Sequence, residues 1–142
     1  MTSDRSEQSG ESDLLTLIPS MAPVLDDQTW AFVSVDAALI DVYSDVALAV
    51  FKESEGATVV IPWDRSSEFE ICSAPMARIT LEVHSSLEAV GLTAAVSQAL
   101  ASEAISANIM AGYFHDHIFV PESAGERAMA CLTLLSASAE GF

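Results

Sequence analysis

The stretch that decides the fold runs from Ile79 to Pro121: ITLEVHSSLEAVGLTAAVSQALASEAISANIMAGYFHDHIFVP. Ile79, Leu81 and Val83 alternate with Arg78, Thr80, Glu82 and His84, the period-two signature of a strand with one buried face. Ser85 and Ser86 then precede a helix over about 87–103, with Leu92, Val96 and Leu100 on one stripe and alanines that permit close packing. Residues 107–113 and 117–121 read as the two strands of a hairpin around a tight turn. A last amphipathic helix is predicted near 123–137, carrying Ala128, Cys131, Leu132 and Leu135. The order β-α-β-β-α is most of a ferredoxin-like split βαβ, and the right-handed crossover places the hairpin's second strand between the other two.

Upstream the same theme is expected in a different order. Leu14, Leu15, Leu17, Ile18 and Met21 make a short apolar helix stopped by Pro23, with Ser12 or Asp13 as its cap. Residues 30–35 (WAFVSV) read as a strand, and Asp26-Asp27 as a solvated loop before it. Ser44 or Asp45 is expected to cap a helix through Val46, Leu48, Ala49 and Phe51 that stops at Gly56, with Lys52 on its wet face. Residues 58–61 (TVVI) and the alternating 68–72 (EFEIC) read as two further strands. The fold class is therefore α+β: two ferredoxin-like βαβ halves with antiparallel sheets packed on helices and sharing a sheet. The expected division is a disordered tail at 1–11, an N-terminal half at 12–74 and a C-terminal half at 75–142.

Composition narrows the function. A chain of 142 residues, 51% of them hydrophobic, can build its core by burial alone. Cys72 and Cys131 form no CxxC or Cys/His spacing and read as small buried hydrophobes of a reducing compartment. No apolar leader and no run of about 18 uncharged apolar residues occurs, so a soluble, cytoplasmic protein is expected. Five basic residues against 21 acidic ones give a net charge of -16, which repels phosphate backbones and anionic membranes, so neither nucleic acid nor membrane is an expected partner. There is no G-x-S-x-G elbow, no P-loop and no dinucleotide fingerprint, so no catalytic residue and no cofactor are assigned.

All three histidines, His84, His115 and His117, fall at strand ends. In a split βαβ the strand ending at His84 lies beside the start of the strand at His117, and parity puts His84, His117 and Phe119 on the face away from Ile79, Leu81, Ile118 and Val120. His-x-His directs two imidazoles to one side, so a metal site of His115, His117 and His84, with Asp116 near it, in a metal-binding protein or a metal-assisted enzyme, is one possibility. The alternative is structural: the imidazoles order the hairpin by hydrogen bonding, and Asp116 makes an Asx-type turn. The strand-to-helix loop His84-Ser85-Ser86-Leu87-Glu88-Ala89-Val90-Gly91-Leu92 offers backbone N–H groups and two hydroxyls as a seat for a carboxylate, or simply caps its helix.

The same segment closely resembles a family of small bacterial ACT-domain proteins, with the pattern VHSSLEAVGLTAA followed by HDHIFVP; upstream WAFV and EGATVVIP continue the likeness, so that it spans nearly all of 14–135. That family is similar to aspartate kinase regulatory domains and to cytosolic arginine sensors. The resemblance implies a non-catalytic, allosteric regulatory protein, homodimeric, that binds an amino acid where a strand meets its helix. Carried over, the ligand-binding residues are His84, Ser85, Ser86, Leu87, Val90, Gly91 and Leu92 in the loop, Asn108 and Gly112 on the neighbouring strand, and His115, Asp116 and His117 beside it. The family usually reads GIS before the hairpin strand, whereas this chain has Ala104-Ile105-Ser106. A self-association module that binds no ligand, joined through sheet edges, is the remaining alternative.

Overall fold

The computed structural model describes residues 13–83 and 91–139. In chain order the elements are α1 (Leu14–Leu17), β1 (Pro23–Val35), β2 (Ala49–Glu53), β3 (Gly56–Pro62), β4 (Met76–Leu81), α2 (Leu92–Ser102), β5 (Asn108–Ala111), β6 (Asp116–Pro121) and α3 (Gly125–Ala139). Short 3-10 segments span Ala37–Tyr43, Trp63–Glu68 and Glu122–Ala124. The strand pairings of β1 with β3, β2 with β3 and β5 with β6 are antiparallel, and the class is α+β as expected.

Two compact units emerge: residues 1–26 with 78–142, and residues 27–77. In the first, the strand order is β1-β4-β6-β5, with the opening residues of β1 beside β4. There Glu82 and Val83 donate their N–H groups to the carbonyls of Ala22 and Met21. Alternation holds in β4, where Ile79 and Leu81 are buried, whereas in β6 Ile118, Phe119 and Val120 are buried in succession; the α2 stripe of Leu92, Val96 and Leu100 is buried as well. Leu17 and Met21 from around α1, and Ala128 and Leu132 from α3, complete this core. Each buried Leu, Ile, Val or Met side chain of this core contributes about 1.5–3 kcal/mol by leaving water.

The α2 helix ends in a Schellman-type turn. Ile105 donates to the Leu100 carbonyl and Ala104 to that of Ala101, with Ala104 at φ +57°. The alanine that replaces the family's glycine thus occupies the left-handed position such a turn requires, and the turn forms nonetheless. Arg127 of α3 adds a donor to the Glu103 carbonyl at 2.6 Å, satisfying another group at that helix end.

The unit of 27–77 has the order β2-β3-β1. Ala31, Val33, Ala57, Val59 and Ile61 form its core, closed by Val35, Ile40, Val46, Ala47, Phe69 and Cys72. Three expectations are corrected here. The helix predicted through Val46, Leu48, Ala49 and Phe51 is β2 instead, paired from Ala49↔Val60 to Glu53↔Gly56; its long-range ladder overrides a three-to-four spacing that fits a helix equally well. Gly56 is no helix stop: at φ +148° it begins β3 after the turn, and Lys52 lies on a strand. Residues 63–68 wind into 3-10 turns that carry an exposed Arg65–Glu68 ion pair, and the strand predicted over 68–72 shrinks to one bridge, Val33↔Cys72.

Candidate functional site

The β5–β6 hairpin carries the part of the candidate site that the structure describes. Its register pairs Asn108 with Phe119, Met110 with His117 and Ala111 with Asp116. Gly112 donates its N–H to the His115 carbonyl at 2.8 Å, which closes the turn over Gly112-Tyr113-Phe114-His115. Asp116 therefore already belongs to β6 and is buried, so its place in the turn is corrected: the ladder claims it first. Tyr113 and Phe114 stand exposed at the tip, edge to face at 5.0 Å.

Glycine at 112 is a steric requirement. A Cβ there would stand 2.9 Å from the His115 carbonyl oxygen and 3.3 Å from His117 Nε2. The His117 ring is fixed from the other side by β4, whose Thr80 hydroxyl lies 3.1 Å from Nδ1. Burial lowers the His117 pKa, and the charges of Arg78 and His115 lower it further against an opposing pull from Asp116. The neutral imidazole is thus favoured. His115 differs: its Nδ1 is buried and has no hydrogen-bond partner among the described residues.

Beside Thr80, Arg78 reaches Asp26 of β1 with Nε at 3.1 Å and Nη2 at 2.9 Å, both groups about one-fifth exposed. This corrects the view of Asp26-Asp27 as a solvated loop, because β1 begins earlier, at Pro23. Thr80 and the Arg78–Asp26 pair escaped the sequence reading. Period-two alternation already placed Arg78 and Thr80 on the face of His117 and was the signal that pointed to them.

At the other end of the expected site, Gly91 serves as the N-cap of α2 with φ +100° and no side-chain cap, while Ala95 donates to its carbonyl at 2.8 Å. Leu14 of α1 packs on this glycine, its Cδ2 3.0 Å from where a Cβ would lie. Leu92 is buried and Asn108 exposed. His84, Ser85, Ser86, Leu87 and Val90 lie outside the described residues, and with them the expected meeting of His84 and His117. Among the described residues no three of His, Cys, Asp and Glu gather as a metal-holding group. Both cysteines are free thiols; Cys131 donates to the Ala99 carbonyl, and burial pushes its pKa up. No helix among the described residues is long and apolar enough to cross a membrane.

Comparison with known proteins places this geometry in a family. ACT-domain patterns match residues 9–78 and, separately, residues 75–133. A Vibrio cholerae protein of unknown function, described as a possible transport protein, is 42% identical, with a TM-score of 0.77 over 87% of this chain and 95% of that one. The ligand-free regulatory subunit of aspartate kinase from Thermus thermophilus shares the fold at 12% identity, TM-score 0.65, over 82% of this chain and 97% of that one. An Agrobacterium tumefaciens protein does so at 14% identity, TM-score 0.64, over 77% and 84%. No curated protein matches the chain. With one ACT pattern over its first half and a second over the rest, the chain belongs to the ACT-domain family as a tandem member.

Proposed function

We propose that this chain is a non-catalytic regulatory or sensing protein that binds a small molecule, an amino acid, at the junction between β4 and α2. One observation carries the reading: α2 opens on a glycine with positive φ, so the cap residue itself brings no hydroxyl or carboxylate to the first-turn amides. A ligand carboxylate suits that place, since the helix dipole favours negative charge there. The hairpin residues Asn108, Gly112, His115, Asp116 and His117 form the neighbouring wall in this reading, and residues 84–90 the loop between. Membership of the ACT family supports a regulatory, ligand-binding role, in a fold shared with an aspartate kinase regulatory subunit. The protein works in the cytoplasm as a homodimer, and ligand binding shifts its association or partner contacts.

A thermal-shift screen against the twenty amino acids at millimolar concentration tests this. A ligand present at 100 times its Kd stabilises the folded state by about 2.7 kcal/mol. For a domain of this size that corresponds to a rise in melting temperature of roughly 5–10 °C. One or a few amino acids should produce it, and a flat response to all twenty would overturn the reading.

A further inference from the structure

We propose that His117 is a proton-operated latch on the β5–β6 hairpin: as the neutral imidazole it holds the 112–115 turn against β4, and on taking up a proton it leaves that seat and lets the turn open. The seat has two described walls. On one side the Thr80 hydroxyl of β4 lies 3.1 Å from Nδ1. On the other, Nε2 stands so near Gly112 that a Cβ there would come within 3.3 Å of it. The same Cβ would lie 2.9 Å from the His115 carbonyl oxygen, which accepts the Gly112 N–H and closes the turn. The ring is thus packed between strand and turn, and it fits because residue 112 has no side chain.

A neutral ring fills this seat with one N–H, whichever nitrogen carries it, whereas the imidazolium has two donors. The Thr80 hydroxyl accepts one of them; the other, on Nε2 beside Gly112, has no acceptor among the described residues. Burial and the charges of Arg78 and His115 also act against the imidazolium, with Asp116 opposing them. Of the other titratable groups nearby, Asp26 is engaged by Arg78 with Nη2 at 2.9 Å, Glu82 lies exposed just past β4, and Tyr113 is exposed at the tip. β5 contributes only the uncharged Met110 as the register partner of His117. In the functional reading above this turn is one wall of the ligand site, so an amino acid held there binds more weakly as the latch protonates. The latch itself does not rest on that reading.

The test is a pH titration of the full chain without ligand by NMR, from about pH 8 to about pH 5. It follows the His117 ring protons and the protection factor of the Gly112 amide, in which the intrinsic pH dependence of exchange is divided out. The ring should titrate below 6.5, and Gly112 protection should fall as the pH drops through that window. The whole fall should be about tenfold for each unit by which the ring titrates below the unfolded value. His117→Asn should abolish the fall, His115→Asn should leave it in place, and Arg78→Gln should shrink it by moving the titration toward 6.5. Circular dichroism of each variant checks folding, and the unaltered chain is decisive by itself. A His117 ring that titrates while Gly112 protection stays constant would overturn the proposal, as would a fall that survives in His117→Asn or disappears in a folded His115→Asn.

Discussion

The Thr80 hydroxyl and the Nδ1 of His117 lie 3.1 Å apart and join β4 to β6 on the face that also holds Arg78 and Asp26. This bond fixes the orientation of a histidine whose titration the fold perturbs. It thus links a residue legible in the chain to one that is not.

Stability should depend on pH through His117. Its folded pKa is depressed, first by burial and then by Arg78, so the unfolded chain binds the proton more readily. Its contribution is therefore complete above the ordinary histidine value of 6.5 and is lost as pH falls from there through the folded pKa. Melting temperature followed over that window should drop less for His117→Asn than for the unaltered chain. Arg78→Gln, which removes a depressing charge, should narrow the window. Parallel curves for all three would refute the assignment.

Ala104→Gly should stabilise the protein. Ala104 sits at φ +57° in the turn that ends α2, a conformation costing an L-residue roughly 1–2 kcal/mol and glycine little. Some of that gain is offset by the freer unfolded chain, which leaves about 0.5–1 kcal/mol. Urea denaturation should show a higher midpoint at unchanged slope, and a lower midpoint would count against the described turn.

Alanine at the two described glycines with positive φ should cost unequally. At Gly91 the new Cβ meets the flexible Leu14 side chain at 3.0 Å, so the loss is mainly backbone strain, about 1–3 kcal/mol. At Gly56 it would stand 2.5 Å from the Val35 carbonyl oxygen, which cannot yield without disturbing the β1–β3 ladder, so the loss is larger. Adding Leu14→Ala should relieve only the contact part at Gly91. Equal losses at the two glycines in a denaturation series would contradict this account.

The unpartnered Nδ1 of His115 has a stability signature of its own. A buried polar atom without a partner costs about 1–3 kcal/mol, so His115→Phe should leave the melting temperature unchanged or raise it. A clear drop would show that the imidazole has a stabilising partner after all.

The second half of the fold was legible because each local pattern agreed with the tertiary contacts: Ile79 and Leu81 alternate in β4, and Leu92, Val96 and Leu100 repeat on α2. Val46 to Phe51 misled because that spacing satisfies a helix, while the partner that makes it a strand, β3, lies beyond a turn whose glycine also resembles a helix stop. In the candidate site, His115 and His117 announce themselves by residue type. Thr80 does not, since a hydroxyl on the wet face of a strand is unremarkable until its neighbour is known. Asp26 and Arg78 stand 52 positions apart, so only the strand order makes them a pair. The Ala104 departure was visible as a mismatch to the family pattern, and its meaning, a left-handed turn formed without glycine, required the backbone angle.

The central claim, an amino acid held where β4 meets α2, is tested most directly by amide chemical-shift mapping while each of the twenty amino acids is added at millimolar concentration. The account predicts that at least one of them shifts Gly91, Leu92 and Gly112 saturably while the β2–β3 turn around Gly56 stays still. No saturable shift with any amino acid, or shifts that avoid residues 91–92 and 112, would contradict it.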